Sequence, residues 1–451
     1  MSAITNLVIL GATGDLTSRL LLPGLGTLLA QRTDRRVTLI GSSQTADDSW
    51  SSTVAEAFDS VGADGPAVDH VLETTTYVQC DVTKKDDMAE LLGSLDGATC
   101  LYFALPPSVT MKSLDVLAEL DLPQDLLLAL EKPIGTDFES AQELNLLASR
   151  LVSEQHIFRV DHFLGMPAVL NFLGMRFANR ILEPLLNRDN VESIEIVFDE
   201  TLGLEGRAGF YDPTGATRDM IQSHLLQVMG LMMMDPPARF DHVELPALTA
   251  HILRATRIWG DDPGRSIVRG RYTAGTVGGV DLPDYTAEEG VDPDNGTETF
   301  VQVTLEVDTW RWSGVPVTLR SGKAIGNPRQ EIVVRFRQPP HIYPQFPNDG
   351  NVPENVLRLE FEQDQVLLEL NMGGPFDSRG MTRVTAQTDT AAPELSAYGS
   401  VLRGILDGDP TMSVRGDAAE EGWRITGEIL DAFADGSVPL REYEAGSSGP
   451  V

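Results

Sequence analysis

Residues 5–16 read Thr5-Asn6-Leu7-Val8-Ile9-Leu10-Gly11-Ala12-Thr13-Gly14-Asp15-Leu16, an apolar run that turns through two glycines into a helix-compatible stretch carrying Pro23. Apolar residues on consecutive positions suit a parallel strand covered on both faces. Glycines at a strand-to-helix turn let backbone N–H groups approach a pyrophosphate, whose charge a helix N-terminus favours. A Gly-x-x-Gly turn by itself occurs widely. Its place at the first turn of a β-α repeat is what points to a dinucleotide, with Gly11, Thr13, Gly14, Asp15 and Leu16 as the cofactor-binding residues.

The repeat continues outward from there. RVTLIG (36–41), TTYVQCDV (75–82), TCLYFALP (99–106), DLLLALEKP (125–133) and IFRVDHF (157–163) are short apolar runs separated by segments long enough for crossover helices. After about residue 190 the texture becomes alternating, as in ESIEIVFDE (192–200), TETFVQVTLEVDTWRW (297–312), EIVVRFRQ (331–338) and QVLLELNM (365–372). Period-two strands indicate a largely antiparallel sheet with one solvated face. Helical stretches at 218–234 and 418–433 interrupt it. The expected fold is therefore α/β plus α+β. Residues 1–160 form a Rossmann-like, doubly wound parallel sheet, and residues 161–451 an α+β domain with a large, mainly antiparallel sheet. Residues 274–298, rich in Gly, Pro and acids, read as a long loop, and the tail from Arg441 onward as frayed.

Sixty-seven acidic against 34 basic residues give a net charge of -33, which repels nucleic acid and anionic membranes over most of the surface. The charge assigns no function of its own. Cys80 and Cys100, the two cysteines, lie in strand-like runs and read as buried free thiols. The start MSAITNLVIL lacks the charged and long apolar regions of a secretion signal, and no eighteen-residue apolar run occurs, so a cytoplasmic protein is expected. The end of the second strand, Gly41-Ser42-Ser43-Gln44-Thr45 followed by Asp47 and Asp48, offers acids and no cation for an extra phosphate, which favours NAD over NADP. Arg19, Arg35 or Arg36 folding across is the alternative.

Three further segments, Glu131-Lys132-Pro133-Ile134-Gly135, Arg159-Val160-Asp161-His162-Phe163-Leu164-Gly165 and Arg218-Asp219-Met220-Ile221-Gln222-Ser223-His224-Leu225-Leu226-Gln227, follow in order. With GATGDL, ALPP (104–107), RFANRI (176–181) and WSGVPVTLRSGKA (312–324), they resemble the glucose-6-phosphate 1-dehydrogenase family over nearly the whole chain. The resemblance implies oxidation of a hexose at C1 to a lactone, with hydride passing to NAD or NADP. His224 then occupies the general-base position, an imidazole being suited to take a hydroxyl proton near neutral pH. Asp161 matches the carboxylate that orients it, and Lys132 the residue that reaches both sugar and cofactor. The likeness places Ser43, Gln44, Pro106, Glu131 and Lys132 with the cofactor and His162, Phe163, Met166, Glu200, Asp219 and Lys323 with the substrate. The active site is expected near residues 131–135, 161–166 and 219–224. A homodimer or homotetramer is implied. No metal-type cluster is seen in the sequence, and a hydride transfer of this kind needs none.

The chain departs from the family at its anion sites. Where members carry a Tyr, and a Lys three residues later, after Asp-His, this chain has Phe163 and Met166. Leu20 stands at the position of a first-helix lysine, beside Arg19, and Gln44 at that of an arginine. Lys323 keeps a family substrate position, and Arg329 lies near another. Three expectations follow: a C1 dehydrogenase using NAD on an unphosphorylated or differently substituted hexose; an ordinary member whose phosphate is held by Lys323, Arg329 and His162; or a non-catalytic nucleotide- or sugar-phosphate-binding paralogue.

Overall fold

The computed structural model describes residues 4–343, 352–361, 365–374, 380–388 and 393–450. The chain divides into two compact units, Met1–Pro167 with Asp235–Ala250 and Pro393–Trp423, and Ala168–Met234 with His251–Ala392 and Arg424–Val451. Two segments that the sequence pattern places after residue 160, 235–250 and 393–423, thus belong with the first unit.

In that unit β1 (Asn6–Leu10), β2 (Thr38–Ser43), β3 (Thr76–Gln79), β4 (Thr99–Phe103), β5 (Leu126–Glu131) and β6 (Ile157–Val160) form a parallel sheet in the order β3-β2-β1-β4-β5-β6. The order reverses at β1, so the loops after β1 and β4 leave in opposite senses and open a crevice at the carboxyl ends of the strands. β1 and β4 are buried at every position, as their uninterrupted apolar runs require. The core over β1 includes Leu21, Leu25, Leu28 and Phe58, together with Tyr398, Leu402 and Ile405 from helix Ala397–Asp407. Ser396 caps that helix through the Gly399 amide, 3.1 Å away, and Gly408 ends it in a left-handed turn. Cys80 and Cys100 are buried free thiols, and burial, then the Asp87 and Asp81 charges, push the Cys80 thiol up to about 12.

The second unit is built on a mixed sheet, with ten strands among the described residues. Its order is 381–388, 365–373, 356–360, 330–336, β7 (Val191–Asp199), 317–322, 300–307, 267–273 and 440–444, with 256–258 also paired to 300–307. Two neighbouring pairs, β7 with 317–322 and 440–444 with 267–273, run parallel and the rest antiparallel. Alternation is clearest at Phe300–Val307, where buried positions recur every second residue from Val301 on. One face carries a ladder of alternating charge, Arg383–Glu369–Arg358–Glu331–Arg329–Glu195–Arg335, in which Arg358 lies 2.7 Å from Glu369 and 3.0 Å from Glu331.

Two expectations need correction. The segment from Arg441 is not frayed: Leu440–Glu444 is a strand in register with Arg269–Thr273, and after it Ala445 bonds Thr273, Gly446 bonds Ala324 and Ser447 bonds Gly326. Residues 274–298 are not one loop either, since Gly275–Val277 and Val280–Leu282 pair as a short hairpin. The remainder of that stretch is tied down by buried Asp212, which accepts from the Tyr285 hydroxyl (2.7 Å), the Asp292 amide (3.0 Å) and Asn295 Nδ2 (2.7 Å). Burial alone would raise this carboxyl, but those hydrogen bonds outweigh it and hold it below its ordinary 3.8.

A carboxyl lowered in the folded state stabilises above its unfolded value and loses that contribution as pH falls through its folded value. Asp212→Asn, which removes the charge behind these hydrogen bonds and turns one of the two acceptor oxygens into a donor, is expected to cost about 1.5–3 kcal/mol at neutral pH. Urea unfolding should show the gap narrowing as pH falls below the ordinary carboxyl range.

Candidate active site

In the first unit the turn after β1 is held close to both neighbouring strands. The amides of Gly11 and Ala12 bond the Ser42 carbonyl at 2.8 and 3.0 Å, and Gly14 N–H bonds Gly11 O at 3.0 Å. Gly11 has φ +92°, and a Cβ there would stand 2.2 Å from the Ala104 carbonyl oxygen, so only glycine fits. Thr17 Oγ1 bonds back to Gly11 O at 3.2 Å, and Thr17–Leu21 runs as a π-helical turn. In the first turn of the helical run beginning at Asp15 the amides of Thr17 and Ser18 bond Gly14 O at 3.1 and 3.3 Å, and Thr13, Gly14 and Asp15 ahead of them are exposed. This glycine cradle at a helix start fits the pyrophosphate of a dinucleotide.

Around it lie the other cofactor candidates. Ser43 Oγ is 2.5 Å from the Tyr77 hydroxyl, which also bonds Thr45 O at 2.6 Å. Exposed Gln44 donates to Asp81 at 3.1 Å. Pro106, also exposed, precedes helix Pro107–Leu117. Of the three arginines that could have folded toward a 2′-phosphate, Arg35 is committed to Leu406 O and the Asp407 carboxylate, and Arg36 to the carbonyls of Thr33 and Arg35. Arg19 is exposed beside Leu20.

At the ends of β5 and β6 stands a group that sequence reasoning had only in part. Glu131 accepts from the Tyr102 hydroxyl at 2.5 Å, and Tyr398 stacks on His162 with ring centroids 5.2 Å apart. Burial pushes the Glu131 carboxyl up to about 7, against the lowering effects of the Tyr102 hydrogen bond and the Lys132 charge. Half-buried Lys132 follows directly, joined to Pro133 by a cis peptide bond. Asp161 is buried and caps the turn His162–Gly165 by accepting from the Phe163 amide at 3.0 Å. Phe163 is buried and Met166 half-buried. Tyr102 and Tyr398 were not singled out from the sequence. Tyr102 adjoins the quoted ALPP, whereas nothing near Tyr398 signals its place.

In the second unit, Thr217–Leu225 forms a nine-residue π-helical segment, and the Glu298 carboxylate accepts the Thr217 amide at its start, 2.9 Å away. His224 lies in this segment at 1% exposure, and Asp219 is half-buried in its first turn. π-helical turns occur frequently at functional sites because they re-aim side chains. Lys323 is buried, with Nζ 2.6 Å from Glu200 Oε2 and 5.2 Å from the Tyr211 ring centroid. Burial, followed by the charges of Asp219, Glu298 and other neighbours, pushes the Tyr211 hydroxyl well above its ordinary range. Arg329 is drawn to Glu195 (3.0 Å) and Glu331 (3.4 Å) in the charge ladder. Within this unit the structure therefore brings Glu200, Lys323, Asp219 and Tyr211 together and ties Arg329 to carboxylates of the sheet.

Residues 8–171 match the family described as "Glucose-6-phosphate dehydrogenase, NAD binding domain", and residues 173–451 "Glucose-6-phosphate dehydrogenase, C-terminal domain". The chain is 34% identical over 468 residues to the glucose-6-phosphate 1-dehydrogenase of Aggregatibacter actinomycetemcomitans, covering 99% of this chain and 94% of that one. It is 32% identical over 471 residues to that of Zymomonas mobilis, covering 100% and 96%. Among solved structures it matches the Mycobacterium avium glucose-6-phosphate 1-dehydrogenase with a TM-score of 0.86 at 32% identity, covering 100% of this chain and 96% of that one. A glucose-6-phosphate dehydrogenase in complex with its substrate glucose-6-phosphate matches with a TM-score of 0.85 at 28% identity, covering 99% and 95%.

Two measurements check this geometry. Gly11→Ala should abolish dinucleotide binding in titration calorimetry while the second unit's sheet remains folded. Glu131 should titrate near 7 by carbon NMR of labelled carboxyls, moving higher in Tyr102→Phe. Because its folded value lies above the ordinary 4.5, its ionisation costs stability: the contribution is full below pH 4.5 and is lost as pH rises through about 7.

Proposed function

The chain belongs to the glucose-6-phosphate dehydrogenase family, whose members carry a nicotinamide cofactor, and from that premise we propose that it oxidises the C1 hydroxyl of a hexose phosphate to the lactone. The observation that carries the reading is His224, an imidazole kept out of water in a π-helical segment that bears the family motif. His224 takes the C1 hydroxyl proton as hydride leaves C1, and Asp161 is its carboxylate partner, stabilising the imidazolium. A bound nicotinamide supplies the hydride acceptor. Gly11, Thr13, Gly14, Asp15 and Leu16 hold its pyrophosphate, with Ser43, Gln44, Pro106, Glu131 and Lys132 along the rest of the cofactor. Glu200 and Asp219 accept hydrogen bonds from sugar hydroxyls, each carboxylate offering two acceptor oxygens to a polyol. Lys132 and Lys323 supply the cations, and His162, Phe163 and Met166 line the phosphate end. The family match does not favour an unphosphorylated sugar or a binding-only protein.

The cofactor preference we propose is NAD at least equal to NADP. It is supported by Gln44 at the second-strand turn and by the commitment of Arg35 and Arg36 to other partners. A homodimer through the large sheet is also proposed, supported by the half-exposed apolar positions Leu368 and Leu370 and by exposed Met372 and Val384. Light scattering tests it, with a monomer as the contrary result.

Initial rates of nicotinamide reduction test the rest. His224→Asn should lower kcat with glucose 6-phosphate by about 10²–10⁴-fold, and a rate equal to the parent's would overturn the assignment. Comparable kcat/KM for NAD and NADP is expected, and dependence on NADP alone would overturn the preference. Met166→Lys should lower KM for glucose 6-phosphate by about tenfold or more, the effect of one charge-assisted hydrogen bond.

A further inference from the structure

Lys323 sits in a short backbone segment whose polar groups can be traced one by one. Its own amide bonds Thr299 O at 2.9 Å, Ala324 N–H bonds Leu202 O at 3.0 Å, and Ile325 N–H bonds Glu200 O at 3.0 Å. The other three bonds come from the last strand and the turn that follows it. The Tyr443 hydroxyl donates to Lys323 O at 2.8 Å, Gly446 N–H to Ala324 O at 2.8 Å, and Gly326 N–H to Ser447 O at 3.0 Å. Ala324 is buried and holds φ +54°, a left-handed conformation unfavourable for a residue with a Cβ. Such strain persists only where surrounding bonds over-determine it, and here half of those bonds come from Tyr443, Gly446 and Ser447. The two strips are pressed together: a Cβ on Gly326 would fall 1.9 Å from the Gly446 carbonyl oxygen. Tyr443 is itself buried and fixed, with Thr299 Oγ1 2.8 Å and Thr299 O, the acceptor of the Lys323 amide, 3.3 Å from its hydroxyl.

We propose that Tyr443 and the Gly446–Ser447 turn act as a positioning element for the substrate-binding Lys323, setting the backbone from which its ammonium reaches Glu200 and the sugar phosphate. The inference rests on the reading of Lys323 as a substrate residue. Tyr443 touches no reacting atom, so its effect passes through the Lys323 backbone, by the Lys323 carbonyl and by the Thr299 carbonyl that accepts the Lys323 amide. Loss of the hydroxyl lets the left-handed turn relax, and the ammonium is no longer held for the phosphate before it arrives.

Tyr443→Phe keeps the ring and removes only the hydroxyl. With glucose 6-phosphate it is expected to raise KM about three- to tenfold, the weight of the one lost hydrogen bond that reaches the Lys323 carbonyl, while kcat and the KM for NAD stay within twofold. Lys323→Ala tests the underlying reading and should raise the sugar-phosphate KM further. In the double variant Tyr443→Phe should add nothing to Lys323→Ala, since one acts through the other. If Lys323→Ala raises KM and Tyr443→Phe does not, the positioning role is overturned and the reading of Lys323 stands. If the two effects simply add, or if Tyr443→Phe lowers the unfolding midpoint and kcat without a selective change in KM, Tyr443 is merely structural and the proposal falls. If Lys323→Ala leaves KM unchanged, reading and inference fall together.

Discussion

The first unit depends on how closely its backbone passes itself at the point where strand order reverses. The turn after β1 lies against the Ala104 carbonyl on one side and the Ser42 carbonyl on the other, with space for no side chain at Gly11. That closeness forces the chain to open as it enters the following helix, leaving amides and a helix start at the carboxyl edge of the sheet. The same edge carries the ends of β4, β5 and β6, so Pro106, Glu131, Lys132 and Asp161 are delivered to it by topology rather than by local preference.

The polar groups at these strand ends are not left to water. Glu131, half-buried, accepts from Tyr102 and is pushed up to about 7, mainly by loss of hydration. A carboxyl so placed responds to small changes in its neighbours, because the low-dielectric setting strengthens each of them. Asp161 spends an oxygen on the Phe163 amide, which fixes the direction of its carboxylate. In the second unit, the Glu298 carboxylate plays the corresponding part for the segment that carries His224, accepting the amide at its start.

Acidity of this degree leaves few cations, and the second unit's sheet uses many of those it has. Arg329, Arg335, Arg358 and Arg383 alternate with Glu195, Glu331 and Glu369 across neighbouring strands. Single pairs of this kind contribute little when exposed, but a continuous ladder orders several side chains at once. One consequence is that Arg329, which looked available for an anion in the sequence, is already neutralised by two carboxylates. Lys323, by contrast, is paired with the Glu200 carboxylate beside the Tyr211 ring within a buried setting.

The alternation of apolar runs and helical stretches determined the parallel sheet and the change to a second, largely antiparallel one, because strand burial on one or two faces leaves a period in the sequence. The glycine turn was singled out from its place after the first strand, and Lys132, Asp161, Glu200 and His224 from their match to family positions, which is a likeness of sequence and needs no tertiary contact. What the tertiary structure alone decided is which distant groups meet them. Tyr398 comes to the His162 ring from helix Ala397–Asp407, and Tyr443 reaches the Lys323 carbonyl from 120 residues away, in a stretch that reads as frayed. The strand at 440–444 exists because an edge of the sheet offers it partners. No periodicity announces such contacts, since the free energy that orders these residues comes from hydrogen bonds and burial supplied by other parts of the chain.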